Sequence, residues 1–225
     1  MATDVRNIVV GAANVFYSVG TTTTGGRPAE PTWSTASSAA VQLRNGSGSW
    51  TEAGLTTEGV DLSYEPNYGE IMVDQLLDVA KIFKQSLRVT AKTTLAEATL
   101  ASLEVAFGNE NTLSSTSSTV NLNIPAGALG TEPVERSLVF VSQSTPGATT
   151  AFAWGSASAN VSASNTERVY FARRVVSMDT VAHSLKRDAA TVFPVTFRLL
   201  PDTNFAGSEY GKIIDRLYSG TGFTG

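Results

Sequence analysis

The chain contains very few residues that are suited to catalysis. His183 is the single histidine among 225 residues, and there is no cysteine. A catalytic triad would have to combine His183 with Asp179 or Asp188, yet no GxSxG motif supplies a nucleophile. Multi-histidine metal sites and thiolate chemistry are excluded by composition. We therefore predict a protein that is not an enzyme, with no catalytic residue, no cofactor and no resident metal, and we interpret His183 as a polar residue in a turn or on a sheet face.

Four carboxylates follow one another along a predicted strand and the loop after it: Glu65, Glu70, Asp74 and Asp78. Oxygen ligands of this kind could hold Ca²⁺ or Mg²⁺, or act as paired acids in a hydrolase. The alternative is that they form a solvated face or line a lumen. The sequence favours the alternative, because no other catalytic or ligating residue accompanies them.

Two glycine motifs resemble phosphate-binding loops. GTGFTG near the C-terminus fits GxGxxG but has neither a strand before it nor a helix after it, so a flexible tail is predicted at about residues 219–225. GSEYGK, residues 207–212, has one residue too few between its glycines, and Ile213 stands where Ser or Thr would bind magnesium. A turn followed by a strand is predicted there.

Composition points to a chain that contacts other subunits. Charged residues make up 16% of the sequence, against about 25% in ordinary soluble domains. The net charge of −4 and the pI near 5.1 provide no basic surface for stable nucleic-acid binding. No apolar run approaches the roughly 20 residues that span a bilayer, so no membrane partner is predicted and the chain is expected to be made in the cytoplasm. The tryptophans Trp33, Trp50 and Trp154 could form a sugar platform or a subunit contact, and the low surface charge favours the contact.

Alternating apolar residues predict a single domain, residues 1–225, that is mainly β. A Thr/Ser/Gly/Pro-rich stretch at about residues 21–51 is predicted to be a long loop. A second loop is predicted from Glu65 to Lys84. Predicted strands lie at residues 8–10, 15–19, 59–66, 71–73, 86–92, 120–124, 137–143, 167–178 and 191–201.

The periodicity becomes helical after residue 93. Thr94 stands at a predicted N-cap with Glu97 three residues later, which is the pattern of a capping box, and Gly108 suits a C-terminal cap. An apolar stripe should pack this helix onto the sheet; its members are Ala96, Leu100, Leu103 and Phe107. Many strands with one helix predict a β-sandwich or barrel flanked by one α-helix.

Several blocks of the sequence resemble the major tail (tail tube) proteins of long-tailed bacteriophages. They are VVGAANVFYSV, WTEAGLTTEGVDLSYEP, EIMVDQ, LAEATLASLEVAFG and FPVTFRLLPDTNFAGSEYGKIID. Their order and spacing cover most of the chain. The stretch from Thr21 to Ser49 departs from the resemblance.

The resemblance implies a β-sandwich flanked by one helix that assembles into hexameric rings, which stack into a hollow tail tube in the virion. Its partners would be itself and other phage tail proteins, and DNA would pass through without binding. The loop from Glu65 to Lys84 would then contact neighbouring subunits through Gln75, Leu76, Leu77, Ile82 and Phe83. Net negative charge predicts an acidic lumen, with Glu70, Asp74 and Glu97 as candidates.

Other classes remain open at this point. They are a different self-assembling β-sandwich protein, such as a capsid decoration protein or a secretion-system tube subunit, and a carbohydrate-binding module.

Overall fold

The computed structural model describes residues 13–18, 30–46, 50–75, 78–97, 99–107, 113–116, 118–124, 129–130, 133, 135–143, 166–178, 181–182, 187 and 191–218. These residues form ten strands and two short helices, so the protein is mainly β, as predicted. The helices are α1 (Ala39–Asn45) and α2 (Leu100–Phe107). The strands are β1 (Asn14–Ser18), β2 (Trp50–Glu52), β3 (Thr56–Ile71), β4 (Lys81–Leu95), β5 (Leu113–Ser115), β6 (Val120–Leu122), β7 (Arg136–Gln143), β8 (Thr166–Ser177), β9 (Phe193–Leu199) and β10 (Gly211–Leu217).

Eight strands form one antiparallel sheet in the order β2-β1-β7-β8-β9-β4-β3, with β10 added beside β8. Strand β8 changes partner along its length: residues 166–172 pair with β10, whereas residues 175–177 pair with β9. Strands β5 and β6 form a separate hairpin. The prediction of a turn followed by a strand at GSEYGK is confirmed: Gly207 lies in a turn, and β10 begins at Gly211, the fifth residue of the motif.

The sheet folds over so that its two halves enclose a common core. Apolar side chains of β1, β7 and β8 pack there with those of β4, β9 and α2. This arrangement confirms the predicted sandwich or barrel. The most completely buried members include Leu95, Leu138 and Phe193, each at 1% exposure or less.

The opposite face of β1, β7 and β8 is covered by α1, which sequence analysis did not predict. Ser38 caps this helix by accepting a hydrogen bond from the Val41 N–H at 3.3 Å, and Leu43 is buried against the sheet. The prediction of one long loop at residues 21–51 is therefore wrong for residues 39–45, which form α1, and for residues 50–51, which belong to β2. The tail predicted at residues 219–225 lies outside the described residues, and the statement that no strand precedes GTGFTG is wrong, because β10 ends at Leu217.

Two of the three tryptophans belong to a second hydrophobic core, which lies between α1 and the face of β1, β7 and β8 that it covers. Trp33 and Trp50 pack against its buried residues, and the Trp50 ring meets the Phe171 ring edge to face at 6.3 Å. Their interpretation as subunit contacts is therefore replaced by an internal packing role. Trp154 and His183 lie outside the described residues.

Helix α2 begins later than the sequence suggested. Thr94 belongs to β4 and pairs with Pro194, because the ladder with β9 continues to Leu95. The N-terminal cap is Thr99, whose hydroxyl accepts the Ser102 N–H at 3.1 Å. The predicted capping box of Thr94 and Glu97 is wrong, and Gly108 lies outside the described residues.

The buried face of α2 also differs from the predicted stripe. Its buried residues are Ser102, Val105 and Ala106, with Leu103 partly buried. Leu100 and Phe107 are 38% and 37% exposed. The shift follows from the later start of the helix.

These positions predict unequal effects of alanine substitutions in α2. Val105→Ala should lower the free energy of unfolding by about 2 kcal/mol, because it removes buried methyl groups and leaves a small cavity. Leu100→Ala should change it by less than about 0.5 kcal/mol, as is usual for exposed positions. Denaturant titration of both variants checks the order, and an equal loss from both would contradict the placement of α2.

Candidate assembly surface

The outer half of the β3–β4 hairpin is largely exposed. The pairing of β4 with β9 ends at Val89, opposite Leu199. Beyond that point no other described strand pairs with β3 or β4, and the two form a two-stranded ribbon that continues to Ile71 and Lys81. We call residues 65–75 and 78–88 the arm. None of its residues is buried.

The arm corrects the prediction of a loop from Glu65 to Lys84. Residues 65–71 and 81–84 are paired strands, and only the tip between them is a turn. The Ala80 N–H closes the tip by donating to the Ile71 carbonyl at 2.9 Å. Isolated two-stranded hairpins are at best marginally stable in water. A partner that covered this ribbon would therefore stabilise it.

A β-bulge lies midway along the arm. Asn67 pairs with Ser86 and Tyr68 with Lys84, so Gln85 is an extra residue on β4. The extra residue reverses which side chains of β4 share a face with the inner part of the strand. Bulges increase local twist, so the bulge also turns the tip relative to the body.

One face of the hairpin carries two exposed tyrosines. Tyr64, at the base of the arm, and Tyr68 are 60% and 55% exposed. The Lys84 ammonium contacts Tyr64, donating to its hydroxyl at 3.2 Å and lying 5.4 Å from its ring centre. Amphipathic aromatic side chains of this kind are enriched in protein interfaces.

The opposite face is built around a glycine and an aromatic ring. A Cβ placed on Gly69 would lie 2.6 Å from the Phe83 ring, so the ring rests directly on the glycine backbone. Phe83 and Ile71 still remain 43% and 45% exposed. Met72 at the tip is 72% exposed. In the single chain, both faces of the arm thus expose apolar side chains to solvent.

The structure brings most of the predicted contact and lumen residues together at the outer end of the arm. Ile82 lies opposite Glu70, and Asp74 and Gln75 form part of the exposed tip. Leu76 and Leu77 lie outside the described residues. Sequence analysis did not assign Tyr64, Tyr68, Ile71 and Met72 to the surface; the signal was present, since these apolar residues flank Pro66 and Gly69.

Glu97 stands apart from the other predicted lumen acids. It follows the inner end of β4, and its carboxylate accepts the Leu55 N–H at 3.1 Å. It also packs under Gly54, where an added Cβ would lie 2.6 Å from the carboxyl carbon. Glu97 is therefore engaged in holding the start of β3, whereas Glu70 and Asp74 are exposed.

Charged side chains of the body are largely used in internal ion pairs. These pairs are Arg44–Glu52, Arg136–Glu104, Arg168–Asp215, Arg173–Glu30, Arg174–Glu135, Lys212–Glu30 and Arg216–Glu167. The arm by contrast carries four acidic and three basic side chains on an exposed ribbon.

The most buried ion pair holds the segment before α1 on the sheet. Glu167 on β8 accepts the Ala39 N–H at 2.8 Å and lies 2.8 Å from the Arg216 guanidinium on β10. Arg216 also donates to the carbonyl oxygens of Ser34 and Ser37. Burial raises the pKa of Glu167 above its ordinary value, although the Ala39 N–H and Arg216 oppose the rise.

The raised pKa of Glu167 predicts a pH dependence of stability. The folded chain binds a proton at Glu167 more tightly than the unfolded chain does. The favourable contribution of that proton is complete below the unfolded-state pKa and is lost as pH rises through the folded-state pKa. Relative to Glu167→Gln, which cannot titrate, the parent should therefore gain stability as the pH is lowered from neutral toward the ordinary carboxyl range.

Urea titrations of the parent and Glu167→Gln across this range measure the difference. Other carboxylates titrate in both proteins and cancel. A difference that is constant with pH, or that favours the parent more at higher pH, would contradict the prediction.

The described residues contain no group of three or more His, Cys, Asp or Glu side chains placed to hold a metal ion. Neither helix in this part of the chain has the length and apolar character needed to span a membrane. Comparison of the sequence with profiles of protein families and with curated proteins finds no match to either.

Proposed function

We propose that the chain is a structural subunit that self-assembles into stacked rings, with six subunits in each ring, to form the hollow tail tube of a long-tailed bacteriophage. One observation carries the proposal. The arm is a free-standing ribbon with apolar side chains exposed on both faces. Covering such a surface by another copy removes it from water, which is the main favourable term in protein association.

The edge of the sheet supports the same proposal. Strand β3 is the last strand of the sheet order, and among the described residues it pairs only with β4. A long unpaired edge is a hazard in a protein that must stay monomeric, because it can add a strand from another chain. Within an assembly the same edge can serve as a joint between identical subunits.

Assembly geometry follows from the asymmetry of these surfaces. The arm lies at one end of the sheet order and β2 at the other. When two unlike surfaces of identical chains meet, the contact is heterologous and generates a ring or a filament. A tube of stacked rings combines a closed ring with an open-ended filament.

Negative-stain electron microscopy of the concentrated protein tests the proposed function. Rings or hollow tubes are the expected result. Monomers at every concentration, with or without an existing tube end as a template, would contradict it. Solid particles or flat sheets would instead favour another self-assembling β-sandwich, such as a capsid decoration protein.

A second candidate function is carbohydrate binding, which the exposed rings of Tyr64 and Tyr68 favour. Aromatic rings exposed on one face of a strand can stack on sugars. A glycan array distinguishes the two candidates, because a tube subunit should bind no glycan. Specific retention by one sugar class, together with failure to assemble, would favour the binding module.

The proposed function also predicts that the assembled tube binds duplex DNA weakly. Assembled protein should retain no measurable duplex DNA even at low salt, because the chain is net negative and most described basic residues of the body are paired internally. A filter-binding or sedimentation assay with labelled duplex measures retention. Micromolar affinity at low salt would contradict a conduit whose wall does not hold DNA.

A further inference from the structure

Three buried side-chain atoms near the outer face of β8 and β10 have no hydrogen-bond partner. They are Trp33 Nε1, Arg216 Nη1 and Glu167 Oε2, and no other buried side-chain nitrogen or oxygen of the described residues shares this property. Arg216 contacts both of the other side chains. The Arg216 guanidinium lies 5.6 Å from the Trp33 ring centre, and its Nη1 lies 2.8 Å from Glu167 Oε1. That last contact is an ion pair whose alignment does not make a hydrogen bond.

Other polar atoms of Glu167 and Arg216 already make hydrogen bonds within the chain. Glu167 Oε1 accepts the Ala39 N–H, and Arg216 Nη2 donates to the carbonyls of Ser34 and Ser37. These contacts fix the positions of Glu167 and Arg216. A buried polar group that is left without a hydrogen-bond partner destabilises the folded chain. Three such groups in one place therefore indicate a bound molecule that satisfies them.

The hydrogen-bonding capacity of the three atoms indicates which kind of molecule can bind to them. Trp33 Nε1 and Arg216 Nη1 are donors, whereas Glu167 Oε2 is an acceptor. A bound anion would be repelled by the Glu167 carboxylate, and a bound cation by the Arg216 guanidinium. Water accepts two hydrogen bonds and donates to the third atom, and buried waters typically make about three such bonds.

We propose that an internal water molecule binds between Trp33, Glu167 and Arg216. It links the segment that precedes α1 to strands β8 and β10, and it is a structural component of the second core. The ion pair alone holds Ser34, Ser37 and Ala39. The water adds the Trp33 side chain to the same network.

A crystal or cryo-electron microscopy structure of the full chain, at a resolution that shows ordered solvent, tests the proposal. A density peak is expected at roughly 2.7–3.2 Å from all three atoms. Its absence, where other buried waters are visible, would overturn the proposal. So would a direct hydrogen bond that consumes one of the three atoms.

Matched variants test the dependence on Trp33. Trp33→Phe keeps an aromatic ring and removes the donor, so the peak should be lost or displaced. Trp50→Phe changes the other tryptophan of the same core and should leave the peak in place. A peak that is unchanged in Trp33→Phe would rule out a site with three partners.

Discussion

Replacing Ile82 with aspartate is expected to leave the chain folded and to prevent its assembly. Ile82 is 60% exposed on the arm, so the substitution removes little buried surface from the single chain. In an assembly that covers the arm, the new carboxylate would be buried without a partner. A penalty of about 3 kcal/mol per contact raises the concentration needed for assembly roughly 100-fold.

Ile213→Asp provides the matched control, because Ile213 is also an exposed isoleucine, 63% exposed, but lies on β10 away from the arm. Thermal unfolding checks that both variants fold, while sedimentation and electron microscopy measure assembly. Normal tubes from Ile82→Asp would remove the arm from the interface. Equal loss of assembly in both variants would show that the arm has no special role.

Gly211→Ala is expected to destabilise the chain by about 4 kcal/mol, which combines backbone strain with overpacking. Gly211 has a φ of +143°, and an added Cβ would lie 1.9 Å from the Phe171 carbonyl oxygen. Strand β8 is central in the sheet and cannot move aside without disturbing its pairing with β7. The start of β10 would have to separate from β8.

Gly207→Ala separates the cost of backbone strain from the cost of the steric clash with Phe171. Gly207 has a φ of +82°, but an added Cβ there would meet nothing within 4 Å. Its substitution should therefore cost only about 1–2 kcal/mol. Denaturant unfolding of the two variants measures both effects, and a cost for Gly211→Ala no larger than that for Gly207→Ala would disprove the close approach to Phe171.

The regular strands of the body were predictable because their alternation survives in the sequence. The apolar residues of SLRVTAK and of VFPVTF lie on alternate positions, and both segments are strands with a buried face. The arm was not predictable in the same way. Its bulge at Gln85 shifts the alternation by one residue, and Pro66 and Gly69 resemble strand breakers.

The capping box failed for a different reason. Thr94 and Glu97 have suitable types and spacing, but contacts distant in sequence decide their roles: Thr94 pairs with Pro194, and Glu97 binds the Leu55 N–H. The missed helix α1 did have local signals, namely Ser38 as a cap and buried residues at positions 39, 40 and 43. Their short run inside a Ser/Thr/Gly-rich stretch concealed them. For the candidate surface, the sequence predicted a contact region from Glu65 to Lys84, whereas the strand pairing was needed to show which residues lie beyond the body.

The pairing of β1 with β7 has a consequence for the order of events during synthesis. Val15 and Phe140 are register partners, so the body cannot close until the chain has been made well past β7. The arm forms from β3 and β4, which are neighbours in sequence, and local hairpins form faster than distant pairings. Pairing within the surface proposed for assembly can thus begin before the body closes, although the isolated hairpin is at best marginally stable. Association through the arm therefore has to be slower than closure of the body if rings are to form from finished subunits.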